Sequence, residues 1–162
     1  MIDVSGKAVT LRRAVASGRV RMAAATRAAI QAGQIAKGDV LTSAQVAGIL
    51  GAKRTPDLIP MCHPLSLSGV NVRFDLPASD DPDGADVVIT AEVTATGQTG
   101  VEMEAITAVA VAAITIYDMC KGIDAAMVIG PITLISKTGG RSGNIAPVAP
   151  DTAVSGITEG SQ

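Results

Sequence analysis

The sequence predicts an α+β sandwich, with one antiparallel sheet and helices packed on one of its faces. Three observations point there. Strand-like and helix-like segments follow one another as strand, helices, strand, strand, helix, strand. Two of the strand segments flank a turn-rich stretch and read as a hairpin. Residues 101–121 lack Gly and Pro, and within them 105–117 carry no charge, the pattern of a long helix buried on more than one side.

Taken in order, residues 9–22 contain VTLRRAV and RVRM, parted by Ser17 and Gly18. They predict one or two strands carrying Arg12, Arg13, Arg19 and Arg21. AATRAAIQAG, residues 24–33, predicts a short helix stopped by Gly33. KGDVL leads into a second helix, SAQVAGILGAK, with Ser43 as its expected N-cap. The prolines of KRTPDLIPMCHPL predict an irregular segment.

From 70 to 76, Val, Val, Phe and Leu alternate with Asn, Arg and Asp, the mark of a half-buried strand. ASDDPDG is the expected turn and VVITAEVTAT the return strand. After the long helix, MVIGPITLI predicts the last strand and SKTGGRSGN a Gly-rich loop. This element order fits the ferredoxin-like sandwich. Residues 1–144 are read as a single catalytic domain, and 145–162, rich in Ala, Pro, Asp, Ser and Gly, as a flexible tail.

Composition narrows the partners. Of 162 residues, 48% are hydrophobic but only 1% aromatic, so the core is built from Ala, Val, Ile and Leu. Scarcity of rings argues against nucleic-acid binding by stacking. Net charge is −2, yet residues 1–73 hold ten Lys/Arg against three acids, while 74–162 hold three against twelve. The first half can therefore build a local anion site. The N-terminus has no apolar signal core, and the uncharged run is too short to span a bilayer. These features predict a soluble, cytoplasmic protein without membrane contact. Cys62 and Cys120 show no metal-ligand spacing with each other or with His63, so no structural metal site is expected.

Four stretches combine polar side chains with unusual backbone. Lys37 stands between Gly33 and Gly38; by spacing alone it reads first as a solvated loop lysine. Lys53, Arg54, Cys62 and His63 cluster around prolines, where cations suit an anion and the only imidazole suits proton transfer. A surface loop with a buried thiol explains the same pattern. Glu102 and Glu104 open the long helix, where acids favour the helix dipole. Asp118 and Lys121, three residues apart near its end, share a face. They form either an ordinary surface pair or, since they follow an uncharged run, a partly desolvated acid–base pair. Lys137 and Arg141 bracket Gly139 and Gly140, an arrangement that can approach an anion but is not a nucleotide-binding P-loop. Together these features indicate a multi-anionic small molecule handled by acid–base chemistry.

KRTPDLIPMCHPL, GVEMEAITAVAVAAITIYDMCK and MVIGPITLISKTGGRSG carry a resemblance that extends from MIDVS almost to the end of the chain. The sequence resembles the MoaC family, the cyclic pyranopterin monophosphate synthases of molybdenum cofactor biosynthesis. The resemblance implies a lyase that converts a 3′,8-cyclised 7,8-dihydro-GTP into cyclic pyranopterin monophosphate and releases pyrophosphate. It implies the ferredoxin-like fold and a homohexamer, a trimer of dimers with sites at the dimer interface. By motif, Asp118, Lys121 and Lys37 match the family's catalytic residues. Met61, Cys62, His63, Met103 and Glu104 match substrate-contacting positions, and Arg12 and Lys137 match further anion-contacting ones. No cofactor is implied beyond a possible Mg²⁺ carried by the substrate phosphates. The sequence departs from the pattern at Pro56, where members often have Trp, and at Arg141, where they often have Lys. The rival reading is a non-catalytic nucleotide- or pterin-binding subunit serving a partner enzyme. A third makes Asp118 and Lys121 a buried stabilising pair.

Overall fold

The computed structural model describes residues 1–78, 81 and 84–140. Arg141, the expected tail and most of the expected 78–84 turn lie outside the described residues. Eight elements follow in chain order: β1 (Thr10–Met22), α1 (Ala24–Gln31), α2 (Val40–Lys53), α3 (Thr55–Leu58), β2 (Leu67–Asp75), β3 (Ala85–Gly97), α4 (Glu102–Cys120) and β4 (Val128–Thr138). The strands form one sheet in the order β2-β3-β1-β4 with every neighbouring pair antiparallel. This is the α+β arrangement of a ferredoxin-like sandwich.

Ser17 and Gly18 do not divide the first strand. β1 runs through them, paired with β3 over its full length from Thr10↔Gly97 to Met22↔Ala85. Gly18 is needed for contact rather than for a turn: a Cβ there would lie 2.7 Å from Cγ1 of Val109, so its absence lets α4 settle on the sheet.

Small residues govern the helix layer too. A Cβ on Gly48 would come within 2.9 Å of the Ala108 carbonyl oxygen, and one on Gly51 within 2.8 Å of Val111 Cγ2. α2 and α4 therefore lie closer than ordinary side chains permit. Beneath them the core is aliphatic: Ala14, Ala16, Val20, Val87, Ile89, Ala91 and Val93 from the sheet meet Ala105, Ala108, Val109, Ala112 and Ile116 of α4. Phe74 and Tyr117 pack only at its margin. With nineteen residues, α4 exceeds the uncharged stretch and could cross a membrane by length and composition alone, but half of it is buried inside the protein, as in a core helix.

Three local expectations are corrected. α2 starts at Val40, and its N-cap is Asp39, not Ser43; the Asp39 carboxylate accepts from the Thr42 N–H. Gly38, at φ 100°, makes the kink that brings Asp39 into this position. The segment 53–65 is not wholly irregular: Thr55–Leu58 form a helical turn with Pro56 in its first positions, where a missing N–H costs nothing. Lys137 belongs to β4 rather than to a loop, opposite Ala14 of β1.

Candidate active site

α4 carries a different cluster at each of its ends. At the C-terminal end, the Asp118 carboxylate sits between two ammonium groups. Lys37 Nζ donates to Oδ2 at 2.7 Å and to the Asp118 carbonyl at 2.8 Å, and Lys121 Nζ lies 2.7 Å from Oδ1. Lys121 arrives by helical spacing. Lys37 arrives because α1 ends nearby, Ile35 is buried, and the Gly38 turn redirects the chain into α2. The Asp118 side chain keeps 53% of its exposure, so in the single subunit this is an open cluster. For the chain alone this is the surface-pair alternative, not the buried stabilising pair or the desolvated one. The two ammonium groups, Lys121 foremost, hold the Asp118 carboxyl down at about 2, and Asp118 in turn raises the pKa of Lys121. Asp118 and Lys121 are therefore both charged at neutral pH.

At the N-terminal end, Cys62 Sγ lies 3.4 Å from Glu104 Oε1. Glu104 is 1% exposed, and among the described residues its Oε2 has no hydrogen-bond partner. Burial raises its pKa. The Cys62 thiol is pushed up to about 11, first by burial and then by the Glu104 charge. His63 follows in the extended chain beyond α3, its Nε2 2.8 Å from the Ile2 carbonyl oxygen. Met61 and Met103 are exposed.

Beside this end lies a cleft of about 330 Å³ lined by Lys7, Arg12, Arg13, Glu102, Lys137 and Gly140, among others. Lys137 Nζ lies 2.8 Å from Glu102 Oε1. Arg12 is only 7% exposed. Its guanidinium donates to the carbonyls of Gly97 (3.1 Å) and Gln98 (3.2 Å). Gly139 and Gly140, both at positive φ, wrap it so closely that a Cβ on Gly140 would overlap its Nη1.

The MoaC family model covers residues 1–140. The chain belongs to the MoaC family. Among MoaC relatives, it is 57% identical over 144 residues to a cyclic pyranopterin monophosphate synthase of Desulfitobacterium hafniense, covering 89% of this chain and 85% of that one. It is 58% identical to the synthase of Heliobacterium modesticaldum over 89% of this chain and 88% of the relative. The Rhodospirillum rubrum synthase is 59% identical over 88% and 84%.

The residues singled out by MoaC resemblance thus fall into two groups. Lys37, Asp118 and Lys121 converge at one end of α4. Met61, Cys62, His63, Met103, Glu104, Arg12 and Lys137 gather at the other. Arg54, expected to suit an anion, faces Asp57 at 3.7 Å, both side chains exposed. Sequence reading missed Lys7, Arg13 and Gln98 as cleft residues. Lys7 stands alone between small residues, and the position of Gln98 is set by the end of β3, so neither carried a local signal. Among the described residues, no group of three or more His, Cys, Asp or Glu is placed to hold a metal ion.

Proposed function

We propose that this chain is a cyclic pyranopterin monophosphate synthase acting in molybdenum cofactor biosynthesis. It would convert 3′,8-cyclised 7,8-dihydro-GTP into cyclic pyranopterin monophosphate with release of pyrophosphate. The observation that carries this reading is the Lys37–Asp118–Lys121 cluster, two ammonium groups each 2.7 Å from one exposed carboxylate. Identity of 57–59% to synthases so named supports it.

The chemistry suits these groups. Rearranging the ring system requires protons to be moved, and a carboxylate hydrogen-bonded to two ammonium groups offers both an acceptor and donors. Closing a cyclic phosphate expels pyrophosphate, and the charge that builds on the leaving group is stabilised by fixed cations. Arg12 and Lys137 in the cleft take the phosphates, with any Mg²⁺ carried by the substrate. Met61, Cys62, His63, Met103 and Glu104 contact the rest of the ligand.

Glu104 and Asp118 lie on one helix, fourteen residues apart, which at ~1.5 Å per residue is about 21 Å. A compact nucleotide does not reach both on one copy. Each site therefore joins the Asp118 end of one subunit to the Glu104 end of its neighbour across a two-fold contact. The assembly is a trimer of such dimers, located in the cytoplasm.

The deciding experiment supplies purified protein with the cyclised nucleotide and follows pyrophosphate release and product mass. Multiple turnovers establish the enzyme. Tight binding of the nucleotide without turnover would replace this reading with that of a non-catalytic binding subunit.

A further inference from the structure

The first turn of α1 has no cap of its own. Ala23 occupies the N-cap position, and no side chain there accepts a hydrogen bond. The acceptor comes from a segment about a hundred residues away. Asp124 Oδ2 accepts from the Ala23 N–H at 2.9 Å and from the Thr26 hydroxyl at 3.0 Å. Its Oδ1 accepts from the Ala126 N–H at 3.2 Å. Thr26 is 3% exposed, so its hydroxyl has no easy exchange with water. A carboxylate is well suited to this place, because a helix N-terminus favours negative charge.

The same turn is fastened to α4. The Asp124 N–H donates to the Cys120 carbonyl at 3.0 Å, and the Tyr117 hydroxyl donates to the Ala125 carbonyl at 3.1 Å. Asp124 therefore joins the end of α4 to the start of α1. Six residues beyond the end of α1 stands Lys37, whose ammonium must reach Asp118 on α4. Cys120, whose carbonyl accepts from the Asp124 N–H, stands two residues beyond Asp118, the partner of Lys37, so these groups occupy one end of α4.

We propose that Asp124 is a positioning residue. By clamping α1 to the end of α4, it sets where the α1–α2 turn presents Lys37 to Asp118. Its bearing on the reaction rests on the proposed catalytic role of Asp118; its bearing on geometry does not.

The two effects of removing Asp124 have opposite signs. Loss of a nearby negative charge alone lowers the Asp118 pKa. Loss of Lys37 from its place raises it. In Asp124→Asn one amide oxygen cannot accept from all three donors, and the amide nitrogen confronts one of them. In Thr26→Val the carboxylate keeps its charge but loses the buried hydroxyl, whereas Thr26→Ser keeps that bond. The experiment is an NMR titration of the Asp118 carboxyl in each full-length variant, alongside kcat. We expect Asp124→Asn and Thr26→Val to raise the Asp118 pKa by about one unit, the scale of losing one close cation, and to lower kcat about tenfold through misplacement. Thr26→Ser should match the parent chain. An Asp118 pKa that is unchanged or lowered in folded Thr26→Val overturns the proposal, even if Asp124→Asn fails to fold. Activity retained by Asp118→Asn would strike the catalytic reading instead, since the carboxyl titration needs no turnover.

Discussion

The Lys37 ammonium crosses 81 residues of sequence to hold Asp118 at both its carboxylate, 2.7 Å, and its own backbone carbonyl, 2.8 Å. One lysine thus fixes the side chain and the end of the helix that bears it. Asp118→Asn keeps the shape of this contact while removing charge and basicity. The variant should fold and assemble normally and lose at least ~100-fold in rate, the low end for a positioned acid–base group. Single-turnover pyrophosphate release measures it, and near-normal release would end the catalytic assignment.

The same contact sets a pH dependence. Asp118 is depressed to about 2 from an ordinary 3.8. A depressed acid contributes stability that is present above its ordinary pKa and lost as pH falls through its folded value. The carboxylate should therefore stay charged across the neutral range and titrate only near 2. Lys37→Ala should move that titration upward, towards the ordinary value, as read by carbon-detected NMR.

Lys137→Ala should weaken binding of the phosphorylated substrate about tenfold, the scale of one charged hydrogen bond. An analogue without phosphates should lose much less. Glu102, 2.8 Å from this lysine, would be left uncompensated in the cleft and add repulsion against phosphate. Calorimetric titration of both ligands tests this. Equal loss for the two would show that the cation does not act on phosphate.

Cys62 should react slowly with iodoacetamide at neutral pH, because burial and Glu104 hold its thiol near 11. Glu104→Gln removes the charge and should speed alkylation, since the thiolate fraction sets the rate. Mass spectrometry distinguishes Cys62 from the buried Cys120. An unchanged rate would mean that burial alone controls the thiol.

Two inactive variants, Glu104→Gln and Asp118→Asn, should rescue each other when co-expressed with different tags and purified as a mixed oligomer. In a mixed dimer one shared site carries both lesions and the other carries neither. Activity should return to a substantial fraction of that of the parent chain. Proven mixed oligomers that stay inactive would place each site within one subunit.

Much of the fold was legible because its signals are local. Alternation in 70–76 and 87–96 marked the hairpin, and the absence of Gly and Pro marked α4. The Ser43 cap was misread because Asp39 and Ser43 are both good caps, and only the backbone turn at Gly38 decides between them. Gly18 left one strand or two open because its reason for being there, the approach of Val109, lies about ninety residues away. Whether Asp118 and Lys121 form a surface pair or a desolvated one was left open for a similar reason, and in the chain alone they lie at the surface. An uncharged run says that a helix is buried, not which direction its next residue faces. The meeting of Lys37 with Asp118, and of Cys62 with Glu104, is set by packing: residue pattern singled out all four, but nothing local says which of them meet.

Arg12 and Lys137 share a cleft but differ in how they hold their charge. Lys137 faces a carboxylate, so an incoming anion must compete with Glu102 for it. Arg12 is tied to the uncharged carbonyls of Gly97 and Gln98 and enclosed by Gly139 and Gly140. Its position is fixed at folding, and its full positive field is left standing. Ordering a long side chain costs free energy whenever a ligand does it; here that cost has already been met before any ligand arrives. Of these two cations, Lys137 must be won from a competitor and Arg12 is ready on first encounter. Of the two, an entering anion should engage Arg12 without rearrangement and reorganise the Lys137–Glu102 pair to reach Lys137.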